Sequence, residues 1–137
     1  MESVIFMGFR ISWYIEKRVI SLKFSEAITE RDLIQAIQQT TDYIEHGIPP
    51  IYNVIDTLDI TEFPTNLRWI LQVMRRNKAG LMSWNILITS NRTIQFLGTT
   101  FLQLLNVQIH TCANFAEAEA FLRQADPALF TAPNGSK

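Results

Sequence analysis

The chain has little of several things, and each shortage excludes a class of protein. Among 137 residues there is one cysteine, Cys112, so no internal disulfide framework is available, which fits a reducing compartment. Charged residues make up only 18% of the chain, against the ~25% usual for soluble proteins. Neither sign dominates: twelve basic residues face thirteen acidic ones, a net charge of −1. The bulk electrostatic footprint of a nucleic-acid or anionic-membrane binder is therefore missing. Five glycines are scattered, and none forms a phosphate-cradling loop ahead of a helix. No serine or cysteine stands in a nucleophile elbow. No run reaches the ~20 apolar residues of a membrane span. The N-terminal stretch MESVIFMGFRISWYIEK has a short apolar part, preceded by Glu2 and broken by Arg10, which is unlike a secretory signal. The expected location is the cytoplasm.

What is present is apolar and periodic. Apolar residues account for 47% of the chain, enough for one domain with a substantial core and some apolar surface left over. A single domain over residues 1–130 is expected, with TAPNGSK at 131–137 as a frayed tail.

The centre of the pattern is Pro49 to Leu71, PPIYNVIDTLDITEFPTNLRWIL. Tyr52, Val54 and Ile55 favour a strand, Asp56 to Thr65 read as a polar loop, and Leu67, Ile70, Leu71 and Met74 restart at helical spacing. Ahead of it, Ile11, Trp13 and Ile15 alternate, then Ile20, Leu22 and Phe24 do the same after Glu16-Lys17-Arg18. That is a hairpin signal. Thr29 with Asp32 three residues on resembles a capping box, and Leu33, Ile34, Ile37, Thr41 and Ile44 form the stripe of a helix closed by Gly47 and Pro49-Pro50.

A second helix is expected from about Thr65 to Asn77, with Arg75, Arg76 and Lys78 in its last turns. Trp84, Ile86 and Ile88, with Leu87 on the other side, make a strand apolar on both faces, which belongs mid-sheet. Ser90 or Asn91 caps a helix over Thr93–Leu105, and Gly98 inside it predicts close packing. Val107 to Cys112 is a short strand, and Asn114 caps a last helix through Gln124 with Phe115, Ala118, Phe121 and Leu122 inward. The order β-β-α-β-α-β-α-β-α predicts an α/β fold with a mixed, mostly parallel five-stranded sheet and about four helices.

Candidate sites are sparse. Asp56, Asp59 and Glu62 gather three carboxylates, but the spacing matches no calcium loop, and a solvated turn accounts for them better. Thr65 and Asn66 stand at an expected helix start, where capping competes with anion binding or phosphate acceptance. Arg68 and Arg75 share a helix face that suits an acidic partner, although a plain solvated face is the simpler explanation. His46 and His110 lack ligand spacing, and neither a metal nor a cofactor is expected. Phe96 and Leu102 fall outside the stripe of the third helix. They are candidates for an apolar ligand pocket or a seam with a second copy of the chain.

The order of elements resembles the STAS domain, shared by sulphate transporters and bacterial anti-sigma-factor antagonists. The likeness covers about Ile11 to Gln124. VIDTLDITEFPTNLRWIL looks like that family's third strand, loop and second helix. ILITSNRTIQFLGTTF and VQIHTCANFAEAEAFL are similar to its last strand-helix pairs. STAS-like single domains compared with lipid-binding SEC14 proteins match equally well.

The resemblance implies a non-catalytic regulatory or scaffold module acting through a protein partner, with binding of a small apolar or lipid-like ligand as the alternative. In switchable members the loop carries Asp-Ser-Ser/Thr-Gly, and its first serine is phosphorylated. Here the corresponding residues are Phe63-Pro64-Thr65-Asn66, so the aspartate, serine and glycine are all absent. Thr65 is the nearest hydroxyl and Thr61 the next. The partner surface expected from this likeness is Asp59, Thr61, Thr65 and Asn66, with Arg68 and Arg75 beside them.

Overall fold

The computed structural model describes residues 8–65, 68, 82–104 and 107–131. Five strands form one sheet in the order β1-β2-β3-β4-β5. They are β1 (Phe9–Ile15), β2 (Val19–Ala27), β3 (Ile51–Glu62), β4 (Met82–Ile88) and β5 (Ile109–Cys112). The helices bounded among the described residues are α1 (Glu30–Glu45), α2 (Arg92–Leu104) and α3 (Phe115–Ala125), followed by a 3-10 turn over Pro127–Phe130 that the sequence pattern does not predict.

β1 and β2 are antiparallel and the other pairings are parallel, as the hairpin-then-alternation pattern predicts. The expected helix between β3 and β4 falls outside the described residues except for Arg68, which is helical.

Local chemistry sets the element ends. Lys17 takes a left-handed conformation (φ 64°) in the hairpin turn, and the Arg18 amide donates to the Ile15 carbonyl at 3.0 Å. The capping box on α1 is complete. The Asp32 amide donates to Thr29 Oγ1, and the Thr29 amide donates to Asp32 Oδ2, both at 3.0 Å. Asn91 Oδ1 accepts from the Thr93 and Ile94 amides at the start of α2. Asn114 Oδ1 accepts from the Glu117 amide at the start of α3. Gly47 after α1 is needed for space rather than for an unusual φ. A Cβ there would sit 2.6 Å from Ile51 Cδ1 and 3.0 Å from the Lys17 carbonyl oxygen. This close approach docks the end of α1 on the hairpin turn.

Right-handed crossovers between sequential parallel strands must return over the same face. α1 and α2 accordingly share one face of the sheet, packing Leu33, Ala36, Ile94, Phe101 and Leu102 against Leu22, Phe24, Ile55 and Leu87. α3 follows the last strand and is free of that constraint. It covers the opposite face with the 3-10 turn, setting Ala118, Leu122 and Leu129 on Val19, Tyr52, Val54, Ile86 and Ile88. Burying each such large aliphatic side chain contributes roughly 1.5–3 kcal/mol. Gly98 lies against Leu87, whose Cδ2 would be 3.1 Å from an added Cβ, so the close packing expected of a mid-helix glycine is found.

Candidate functional site

The stretch read as a polar loop after β3 is mostly strand. β3 runs on to Glu62 because β2 continues to pair with it, Ser25 opposite Asp59, Glu26 opposite Ile60 and Ala27 opposite Glu62. Pairing with β4 stops earlier, at Asp56 opposite Ile88. The β2-β3 ribbon therefore overruns the sheet at its C-terminal edge. Register shifts at Lys23/Ser25 and Glu26/Ala27, with Glu26 at φ 61°, kink it locally.

This ribbon holds the acids in an ordered arrangement. Lys23 Nζ lies 3.3 Å from Asp56 Oδ2 and 3.1 Å from Asp59 Oδ2, so one lysine answers two of the three carboxylates. The hydrogen bond to Asp59 raises the lysine pKa, and desolvation opposes it in part. Asp56 Oδ1 also accepts from the Leu58 amide at 3.0 Å. Asp59, Thr61, Glu62 and Thr65 are exposed, as are Leu58 and Arg68. Asp59 and Thr61 thus stand on a strand, where a loop was expected, because the partner strand reaches that far. Asn66 and Arg75 lie outside the described residues.

The remaining ionisable candidates have ordinary structural roles. His46 Nδ1 is 2.8 Å from the Asp42 carbonyl oxygen, and His110 stacks on Phe121 with ring centroids 3.9 Å apart. Burial pushes the Cys112 thiol up, with Glu117 adding to the effect. Among the described residues, no three His, Cys, Asp or Glu side chains gather where they could hold a metal ion. No helix among them is long and apolar enough to cross a membrane.

Phe96 and Leu102 do not share a surface. Phe96 projects from α2 with 68% of its area exposed, whereas Leu102 is buried in the core. The reason is geometric: Leu102 joins Ile94, Gly98 and Phe101 on the sheet-facing stripe, and that stripe excludes Phe96.

Leu102 borders a partly open cavity of about 70 Å³ between the sheet, α1 and α2. Its walls among the described residues are mostly aliphatic and aromatic, with Leu22, Phe24, Leu33, Ile55, Leu87 and Phe101 prominent. The hydroxyls on its border are already used. Thr40 Oγ1 donates to the Ala36 carbonyl, Thr41 Oγ1 to that of Ile37 and Thr57 Oγ1 to that of Ile88.

Two asparagines also line this cavity. Asn53 on β3 and Asn85 on β4 are register neighbours, 3% and 1% exposed. Asn53 Nδ2 donates to Asn85 Oδ1 at 3.4 Å, a long bond, while Asn53 Oδ1 and Asn85 Nδ2 have no partner. The sequence reading passed over both residues. Their signal is an asparagine two residues before an apolar, helix-facing position on each of two strands, in IYNVI and SWNILI.

No family model matches the sequence, and no curated protein matches it. Among solved structures, the chain is similar to an uncharacterized protein of the DUF3478 family with a SpoIIAA-like fold from Shewanella loihica PV-4. The TM-score is 0.60 at 10% sequence identity, over 83% of this chain and 91% of that one. At that identity the likeness speaks to the fold alone. The five-stranded mixed sheet with its helices is a SpoIIAA-like, that is STAS-like, α/β fold.

Proposed function

We propose that this protein is a non-catalytic regulatory module that works in the cytoplasm through contact with a protein partner, at the corner where the β2-β3 ribbon overruns the sheet. The observation that carries this reading is the end of β3. Past Asp56 the strand has no β4 residue opposite it, and it displays Leu58, Asp59, Thr61 and Glu62 to solvent. A strand edge with one apolar side chain among polar ones suits docking of an extended segment, main chain for affinity and side chains for choice. Thr65 and Arg68 extend the same surface in sequence.

The test is a paired charge change at two exposed threonines, Thr61→Arg with Thr65→Arg. A partner captured by the wild type should be retained at least tenfold less by the double variant, with an unchanged circular dichroism spectrum. Equal capture by a folded double variant rules the corner out.

The cavity favours a second reading, in which the module responds to a small apolar ligand lodged between the sheet, α1 and α2. An aliphatic and aromatic enclosure with a few convergent polar groups is the usual form of a small-molecule site.

A further inference from the structure

We infer that the Asn53–Asn85 pair is the recognition element of that cavity, selecting a small neutral molecule with a hydroxyl or carboxamide head and an apolar body. The inference rests on the second reading above and deepens it. Buried side-chain amides are nearly always satisfied, so two orphaned atoms on adjacent residues ask for an explanation. The asparagine orientations do not remove them. Turning both amides over makes Asn85 Nδ2 the donor and Asn53 Oδ1 the acceptor, and still strands one oxygen and one amino group. Either way one acceptor and one donor stay unpaired on two residues that border the cavity.

That pairing defines the head group. A hydroxyl or a carboxamide both donates and accepts, and so matches one free acceptor and one free donor. A carboxylate has only acceptors and an ammonium only donors, so each leaves one amide atom unpaired. Each would also bring a charge into walls that hold no charged side chain among the described lining residues. An alkane fills the space but leaves both atoms bare.

Size limits the body. The cavity is about half the ~150 Å³ of an engineered apolar cavity that holds benzene, room for a head group and roughly three or four carbons. Larger molecules of the same class would extend their far end through the open side of the cavity.

The experiment follows the side-chain amide resonances of Asn53 and Asn85 by NMR during titration of the whole protein with 1-butanol, butanamide, butyrate and n-pentane at pH 7. Butanol and butanamide should shift both resonances and bind about tenfold more tightly than pentane or butyrate, the worth of one added hydrogen bond. In the double variant Asn53→Leu with Asn85→Leu, pentane binding should persist and the tenfold advantage of butanol should disappear. Should that variant not fold, the ranking of the four compounds on the wild type decides alone.

Equal binding of butanol and pentane would overturn the recognition role while leaving the apolar cavity reading standing. Butyrate binding as tightly as butanol would overturn the neutral-head assignment. Absence of any binding would sink the cavity reading and this inference together. A crystal grown with butanol that shows only waters on the two amides would also overturn the inference.

Discussion

The two faces of the sheet are built from the same kinds of residue and are finished differently. On the α3 face the polar groups near the core meet partners. Asp126 Oδ2 accepts from Arg18 Nη2 and from the Tyr52 hydroxyl, both at 3.0 Å, at the edge of the buried cluster around Leu122. Phe121 is flanked by Trp84 edge-on and by His110 stacked on its ring. Among the described residues of the α1-α2 face a space is left open, and two amide atoms on residues beside it are unpaired. Native cores are close-packed and their buried polar groups satisfied. The α3 face follows that rule and contributes stability. The other face departs from it at one place, and such departures are expected where a protein binds something.

Mutations on the two faces should therefore behave differently. Leu122 is fully buried under α3, so Leu122→Ala should cost about 2–5 kcal/mol by urea denaturation. Leu102→Ala, beside space that is already empty, should fall at or below the low end of that range. A larger loss for Leu102→Ala would erase the contrast. Next in size is Asp126→Ala, which removes the carboxylate that accepts from Arg18 Nη2 and from the Tyr52 hydroxyl. A loss of about 1–3 kcal/mol is expected, read from the same denaturation curves.

The smallest effect belongs to the ribbon. Lys23 is partly solvated, and removing it with Lys23→Met should cost below about 1 kcal/mol near neutral pH. The sign of its pH dependence follows from the raised pKa. The stabilisation is complete below the ordinary lysine value of 10.5 and is lost as pH climbs through the folded-state value. Thermal melts of wild type and variant should differ at neutral pH and converge in strong alkali. A gap that widened there would show that Lys23 acts by something other than its charge.

Much of the fold was legible in the sequence because its signals are local. Period-2 apolarity marked β1, β2 and β4, and the caps at Thr29, Asn91 and Asn114 lie within a few residues of the donors they accept from. The 3-10 turn was missed because Pro127 to Phe130 is too short for any period to show; only its packing buries Leu129. Of the two residues expected at an apolar pocket or a seam, Leu102 borders the cavity and Phe96 does not, because the sheet-facing side of α2 carries Ile94, Gly98, Phe101 and Leu102. The length of β3 was misread because polar residues such as Asp59 and Glu62 suit a loop by propensity, yet β2 supplies them with a ladder.

By itself, the sequence determined the order of the elements, the alternation that makes each strand two-faced, and the caps that start the helices. These depend on neighbours a few bonds apart. Only the tertiary structure decided that Asn53 and Asn85, 32 residues apart, stand side by side, and that β3 outruns β4. Strand register is settled between distant segments competing for the same backbone hydrogen bonds. An asparagine in the sequence carries no mark of which residue will lie across from it, or of whether its amide will find a partner there.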